Sequence, residues 1–397
     1  MSEELIQKAR KIIKVLQQHS YEAYIVGGAV RDHLLGREIA DVDIATSALP
    51  EEVIQIFDKV FPTGIKHGTV LVRLEEQSFE VTTYRQESDY ADFRHPNQVK
   101  FVTNIKEDLS RRDFTINAMA MNDGFSIYDP YKGQLDLENR LIRTVGNPNE
   151  RFSEDPLRMM RAVRFSSQLG FTIEDITIDA MEKNAHLLSH IAIERIAVEW
   201  EKMIAGEFFR GSTNLIFYTD LYKYLPIIAE DNIIQEKIKH INAALPSFSA
   251  FIAYLVIYQP DITVDEWVKR WKLSNKIKKD ANCLIDVMYT YRNGETSWAY
   301  YLLPMDLVDH FVLLSSLLFK TEITSVEIIE RKDSFQIKSR TELAINGYSI
   351  KELFPERKPG KWIQELLTEI EKLVVAGKLK NDRIIISEWV ANERNKA

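Results

Sequence analysis

Two aspartates stand two residues apart in the run Asp41-Val42-Asp43-Ile44. Successive side chains on a β-strand alternate faces, so residues two apart point the same way. Two carboxylates brought together repel unless a cation lies between them, and hard oxygen ligands suit Mg2+. Upstream, Gly27-Gly28-Ala29-Val30-Arg31-Asp32 joins the apolar run Tyr24-Ile25-Val26 to a helix expected to start near Val30. Backbone N–H groups in such a turn approach a phosphate closely, and a helix N-terminus favours its charge. A lone Gly-Gly is usually a turn, and a lone Asp-x-Asp a solvated strand edge or a helix cap. Together, in one strand–turn–helix–strand context, they favour nucleotide chemistry.

Three further segments carry chemistry. In Phe79-Glu80-Val81-Thr82-Thr83 one acid stands between apolar neighbours. By itself Glu80 reads as an exposed alternate position; beside an Asp-x-Asp strand it is a third carboxylate able to complete a metal site. Leu109-Ser110-Arg111-Arg112-Asp113 reads as a helix start, with Ser110 as N-cap and Asp113 three residues on, close to a capping box. Capping leaves Arg111 and Arg112 near a positive helix end, where they are disfavoured. A bound triphosphate removes that conflict, because arginine forks match phosphate oxygens.

The most discriminating segment is Arg151-Phe152-Ser153-Glu154-Asp155-Pro156-Leu157-Arg158. Asp155 as N-cap and Pro156 at the first helical position would be an unremarkable start. Asp155 and Arg158 are also three apart, on neighbouring helix positions. An aspartate accepts hydrogen bonds and an arginine only donates them. Cytosine and adenine each offer an amine donor beside a ring-nitrogen acceptor, whereas uracil and guanine present the opposite order. The pair can therefore read C or A, and U or G would leave buried polar groups unpaired. Arg161 and Arg164 continue the same face. A solvated basic face is the plainer reading, but Met159, Met160, Val163 and Phe165 indicate a packed helix.

These groups need elements to hold them. Residues 1 to about 145 read as α/β. An amphipathic helix (Leu5, Ile6, Ala9, Ile12, Ile13, Leu16) leads in, and Thr69–Arg73 and Phe79–Thr83 have strand periodicity. Tyr84 to Pro96, rich in charge, reads as a loop. Beyond Arg151 the pattern turns to helix after helix, including Pro156–Leu169, Ile193–Ala205, Ile234–Ala244, Trp267 onward and Lys361–Val375. With 397 residues, 45% of them hydrophobic, the chain can bury more than one core. No apolar run approaches a membrane span, and the acidic N-terminus lacks a signal-peptide layout. The single cysteine, Cys283, excludes an internal disulfide and reads as a buried small hydrophobe. A cytoplasmic location is expected. The net charge of −8 argues against a nonspecific nucleic-acid coat protein, although Arg158, Arg161 and Arg164 form a local basic strip.

The Gly-Gly-x-x-Arg-Asp and Asp-x-Asp spacing resembles the nucleotidyltransferase superfamily that includes DNA polymerase β. Arg111-Arg112-Asp113-Phe114-Thr115-Ile116-Asn117-Ala118 resembles its branch of tRNA nucleotidyltransferases and bacterial poly(A) polymerases. Glu154-Asp155-x-x-Arg158 resembles the nucleotide-selecting motif of the class II CCA-adding enzymes. The resemblance implies an α+β fold: a polymerase-β-like head with a small mixed sheet, then an elongated all-α region. It divides the chain into head (1–146), neck for base recognition (147–215), body (216–325) and tail gripping the tRNA elbow (326–397). It implies Asp41, Asp43 and Glu80 as catalytic carboxylates, with Mg2+ at Asp41 and Asp43 in a two-metal arrangement. Gly28, Arg31, Arg112, Asp155, Arg158, Arg161 and Arg164 are implied as contacts for CTP and ATP. The segment Ser88–Pro96 resembles a flexible loop that serves addition of the terminal A, and Asn346-Gly347 with Lys358–Ile363 resembles the tail.

The implied activity is untemplated addition of CCA to tRNA, with the acceptor stem and elbow bound, no membrane and no obligate protein partner. A poly(A) polymerase or an A-adding enzyme is the close rival; the former commonly carries a more basic RNA-binding extension. A noncatalytic RNA-binding module is disfavoured by the intact motifs, and a small-molecule nucleotidyltransferase by the long helical remainder. No His-Asp dipeptide occurs to mark a fused phosphohydrolase.

Overall fold

The computed structural model describes residues 2–90 and 96–394, and it divides into two compact units, Met1–Ala244 and Leu245–Ala397. The first unit contains strands β1 (Ala23–Val26), β2 (Asp43–Thr46), β3 (Val60–Gly64), β4 (Thr69–Leu74), β5 (Gln77–Thr83), β6 (Arg85–Tyr90), β7 (Pro96–Phe101), β8 (Ala120–Met121) and β9 (Ile127–Tyr128). Seven of them form one mixed sheet in the order β3-β4-β5-β2-β1-β8-β9. Its register matters most at one level: Val26 of β1 pairs with Asp43 of β2, and Asp43 pairs across the parallel β2–β5 ladder with Glu80. The end of β1, which runs into Gly27-Gly28, thus lies beside Asp43, with Glu80 across the strand on the other side of that residue.

Burial explains why that register holds. On β2, Ile44, Ala45 and Thr46 are buried, as are Ala23, Ile25 and Val26 on β1. Asp43 alone of β2 is exposed. A slip of one residue would exchange the faces. The helix Ser2–Gln18 covers the sheet with Ile6, Ala9, Ile12, Ile13 and Leu16, all buried, at the three-and-four spacing read from the sequence.

Two local expectations are corrected. The stretch Tyr84 to Pro96 is not simply a loop: β6 and β7 pair antiparallel as a separate two-stranded ribbon, from Arg85↔Phe101 to Tyr90↔Pro96. A ribbon outside the main sheet need not carry a core-facing alternation, so charge-rich composition hid the strands. Ala91–His95, within the segment expected to serve addition of A, lie outside the described residues. Nor does Ser110 start a helix. The helix is Ile105–Ser110, capped at its N-terminus by Asn104, whose side chain accepts from the Lys106 N–H. Ser110 ends it, and its hydroxyl donates to the Glu107 carbonyl at 2.6 Å. Arg111 and Arg112 therefore stand at the negative end, where a cation is favoured.

After the sheet, the first unit continues as helices. Leu157–Leu169 packs against Ile193–Ile204 and Phe209–Tyr218. The boundary expected at 215 falls inside Phe209–Tyr218, and the expected body, 216–325, crosses the division at Ala244. The reason is packing: Phe209–Tyr218 also contacts Leu221–Tyr224 and Asn232–Lys239, so these elements close the same unit. The second unit is helical throughout. Phe248 and Phe251 of Phe248–Tyr258 meet Trp271 and Trp267 edge to face, with centroids 5.1 and 5.8 Å apart. Its Lys361–Val375 helix has the bounds expected from sequence. Cys283 is half-buried there, less enclosed than expected. Among the described residues no single helix is long and apolar enough to cross a membrane.

The packing of Leu157–Leu169 gives a paired prediction. A Cβ on Gly206 would lie 2.2 Å from the Ser167 hydroxyl and 2.6 Å from its carbonyl oxygen, whereas one on Gly211 meets nothing within 4 Å. Gly206→Ala is expected to cost about 1–3 kcal/mol through overpacking. Gly211→Ala, inside a helix, is expected to gain about 0.5–1 kcal/mol. Denaturant unfolding of the two variants checks the opposite signs.

Candidate nucleotide site

The candidate residues meet because the sheet and the Leu157–Leu169 helix face one cavity of about 620 Å3. Its wall holds all ten residues singled out from sequence: Gly28, Arg31, Asp41, Asp43, Glu80, Arg112, Asp155, Arg158, Arg161 and Arg164. Asp41 precedes β2 rather than lying in it, yet Val42 is buried while Asp41 and Asp43 are exposed, so the alternation persists. Gly27 has φ +73°, and a Cβ there would lie 3.0 Å from Arg112 Nη1. Only glycine fits that turn without strain. The helix Gly28–Leu34 follows it with no side chain capping its N-terminus.

The carboxylates act on one another. Although Asp43 is open to the cavity, the surrounding protein desolvates it, and Glu80 and Asp41 add repulsion; together they push it up to about 6 against the opposing pull of Arg112. Such oxygen donors fit a hard divalent ion. Among the described residues no three acid, histidine or cysteine side chains enclose a metal by themselves. An ion held there would complete its shell with water and substrate oxygens, as small hard cations commonly do.

Eight arginines line the same cavity with five carboxylates. Arg31 is gripped by both oxygens of Asp32, at 3.0 and 2.8 Å, and donates to Asn117 Oδ1 at 2.8 Å. Buried Asp108 accepts from Arg111 at 2.9 Å and from Arg112 at 3.4 Å. Among the described residues, Arg112 Nε is buried without a hydrogen-bond partner. Asp113 accepts from Arg161 Nε at 2.7 Å, the Phe114 N–H at 2.8 Å and Asn117 Nδ2 at 3.2 Å. Burial works to raise its pKa, but the charge and hydrogen bonds of Arg161, then Asn117 and Arg158, hold the carboxyl well below the usual range. Capping is thus not what Asp113 does; it anchors an arginine.

Asp155 has two tasks at once. Its Oδ1 accepts the Leu157 N–H at 3.1 Å, the capping role, and its Oδ2 accepts from Arg195 at 2.8 Å. Pro156, rather than Asp155, stands at the formal N-cap. Arg158 is buried and donates to Glu154 Oε2 at 2.6 Å, the Arg151 carbonyl at 3.1 Å and the Arg111 carbonyl at 3.0 Å. Arg164 lies 2.7 Å from Glu199 and 4.0 Å over the Phe165 ring. It is no solvated face.

The chain as a whole is similar to known proteins. The family model for the Poly A polymerase head domain matches residues 23–143. The probable RNA and SrmB-binding site of polymerase A matches 170–231, and tRNA nucleotidyltransferase domain 2 matches 247–390. The CCA-adding enzyme of Oceanobacillus iheyensis is 45% identical over 385 residues, with 96% of both chains covered. This chain belongs to the CCA-adding enzyme family. Its relative from Geobacillus sp. strain WCH70 is 41% identical, with 98% of this chain and 97% of the other covered. The crystal structure of the Bacillus stearothermophilus CCA-adding enzyme in complex with CTP matches with a TM-score of 0.86 at 37% identity, covering 98% of each chain. A Thermotoga maritima CCA-adding enzyme complexed with tRNA shares the fold, with a TM-score of 0.61 at 21% identity. Members are tRNA nucleotidyltransferases, and such enzymes use a divalent metal.

Four residues escaped the sequence reading. Asp108 ties down two arginines, Asn117 links Arg31 to Asp113, Arg195 holds Asp155, and Glu199 lies between Arg161 and Arg164. The first had a signal: Asn104 followed three residues later by Glu107 marks a helix that puts Asp108 one turn before Arg111 and Arg112. Arg195 and Glu199 had none, since their partners lie some forty residues away in sequence.

The raised Asp43 yields a prediction. A carboxyl whose folded pKa is about 6, against 3.8 for its ordinary value, binds its proton more tightly in the folded chain. The ionised group therefore lowers stability increasingly as pH rises from 3.8 through 6, and the cost is complete above. In chelator, Asp43→Asn should melt higher than the wild type at pH 7.5, with the difference shrinking below pH 4. A divalent cation should raise the melting temperature of the wild type and leave Asp43→Asn nearly unmoved. Calorimetry at the two pH values, with and without metal, checks both.

Proposed function

We propose that this chain adds C, C and A to the 3′ end of tRNA from CTP and ATP, without a nucleic-acid template, releasing pyrophosphate. The observation that carries the reading is the single cavity whose wall holds both the Asp41, Asp43 and Glu80 carboxylates and the Asp155/Arg158 pair. Asp41 and Asp43, with Glu80 as third carboxylate, would hold Mg2+ in a two-ion arrangement, which when bound acidifies the attacking hydroxyl and stabilises the leaving group. The chain's own groups do the rest. Arg31, Arg112 and the backbone N–H groups at Gly27 and Gly28 bind the triphosphate and orient the α-phosphorus for in-line attack by the tRNA 3′-hydroxyl. Arg161 and Arg164 complete the cationic wall.

Asp155 accepts from the exocyclic amine of C or A, and Arg158 donates to the adjacent ring nitrogen. Arg158 keeps Nε–H and one Nη2–H after its bonds to Glu154 and the Arg151 and Arg111 carbonyls. Uracil and guanine present a donor to that donor and an acceptor to that acceptor, so they are rejected by unpaired polar groups. Residues 1–146 then act as the head that binds triphosphate and metal, and 147–215 as the neck that reads the base. The acceptor stem ends in the cavity, the helices beyond 215 serve the rest of the tRNA, and 326–397 take its elbow. The chain works in the cytoplasm and needs no protein partner.

Incubating the chain with tRNA lacking its 3′ CCA and each labelled nucleotide tests this. Two C additions and one A, then arrest, are expected; long A tracts on unrelated RNA would establish the poly(A) polymerase reading instead. Asp155→Ala tests the base-reading step within it. Loss of a hydrogen bond to a charged group, about 1.5–3 kcal/mol, should slow CTP and ATP incorporation by about ten- to a hundredfold and relax selectivity against UTP. Because Asp155 also caps, the melting temperature should fall by the equivalent of about 0.5–2 kcal/mol. A lowered melting point with an unchanged CTP/UTP ratio leaves Asp155 a cap only.

A further inference from the structure

The geometry points to Arg195 as a positioning residue for base selection: it holds Asp155 free of the other arginines so that its carboxylate faces the nucleotide. The inference rests on the base-reading role proposed above for Asp155 and Arg158. An acceptor and a donor that must read a base side by side have an obvious failure, which is to bond each other. An aspartate and an arginine three apart on a helix are within reach of doing so. Once paired, neither would have its full capacity left for the base, and selectivity would decay without any loss of fold.

In this chain each reader has its own counter-charge. Arg158 is bonded to Glu154, and Asp155 to Arg195, whose Nη2 lies 2.8 Å from Oδ2. The other carboxylate oxygen, Oδ1, is fixed by the Leu157 N–H at 3.1 Å. A carboxylate has about four acceptor positions, so two remain after these bonds. The remaining rival is Arg161, whose charge interacts with Asp155; it is drawn away by Asp113 at 2.6 Å and Glu199 at 3.7 Å. Arg195 comes from a different helix, Ile193–Ile204, and lines the cavity with a side chain 22% exposed. It approaches Asp155 without taking part in the Asp113–Arg161–Glu199 chain. Without it, the carboxylate would be left to Arg158, three residues on along the chain, or to Arg161, whose charge already interacts with it.

A merely structural strut between two helices would act on stability alone, so the test reads selectivity. Arg195→Ala, Asp155→Ala and the double variant are compared with the wild type for kcat and KM with CTP and UTP, alongside melting temperature. Arg195→Ala should raise KM for CTP and lower the CTP/UTP ratio of kcat/KM by about five- to tenfold, with kcat for CTP changed far less. In the Asp155→Ala background the same substitution should change the ratio by less than about twofold, because the group it positions is gone. Arg195→Lys, which keeps a single donor cation, should restore part of the ratio, and it carries the test should Arg195→Ala not fold. A lowered melting temperature with an unchanged ratio, or an equal loss of ratio with and without Asp155, overturns the inference alone. Full selectivity in Asp155→Ala overturns the base-reading role and this inference with it.

Discussion

Positive charges crowded around one cavity repel, and the first unit is organised around that constraint. Eight guanidinium groups line a space of about 620 Å3 in a chain whose net charge is −8. At short range and reduced dielectric the repulsion among them far exceeds what a surface patch would meet. Carboxylates offset it: Asp32 for Arg31, Asp108 for Arg111 and Arg112, Asp113 for Arg161, Glu154 for Arg158, Asp155 for Arg195 and Glu199 for Arg164. Phe165 adds its ring beneath Arg164 and near Arg31 and Arg161. Pairs of this kind contribute little net stability, but breaking one strands a buried charge at about 3–5 kcal/mol. What they contribute is geometry.

That geometry is inherited from the sheet. Asp43 and Glu80 are 37 positions apart in sequence, yet the parallel β2–β5 ladder makes them direct partners, and the antiparallel β1–β2 ladder brings Gly27 alongside. The register is fixed by residues with no chemistry of their own. Ile44, Ala45 and Val81 are buried, and a one-residue slip would carry an acid into the core and an isoleucine into the cavity. The placement of the two acids is therefore a consequence of apolar burial.

The sequence made legible the groups that carry short-range patterns. Asp41 with Asp43, the Gly-Gly turn and Glu154-Asp155-x-x-Arg158 are each local signatures, and Gly27, Gly28, Asp41, Asp43, Asp155 and Arg158 line one cavity. The amphipathic helix of residues 2–18 and the strands containing Val70, Phe79 and Val81 were legible for the same reason: a face that fills a core must show its period. What failed was local reading where the partner is distant or the face unburied. Ser110 looked like a cap because Ser-x-x-Asp fits either end of a helix until Asn104 is taken into account. The β6–β7 ribbon carried no apolar signature. Glu199 and Arg195 have meaning only through Arg164 and Asp155, which tertiary packing alone brings near.

The cavity also explains how substrates can help one another. With Asp43 pushed up to about 6 by burial and by Glu80 and Asp41, the site holds excess negative charge at one place and excess positive charge around the rest. A cation relieves the first and a triphosphate the second. Each lessens a repulsion that the other would otherwise meet, so the two would bind with positive coupling, and that coupling would be reciprocal by necessity.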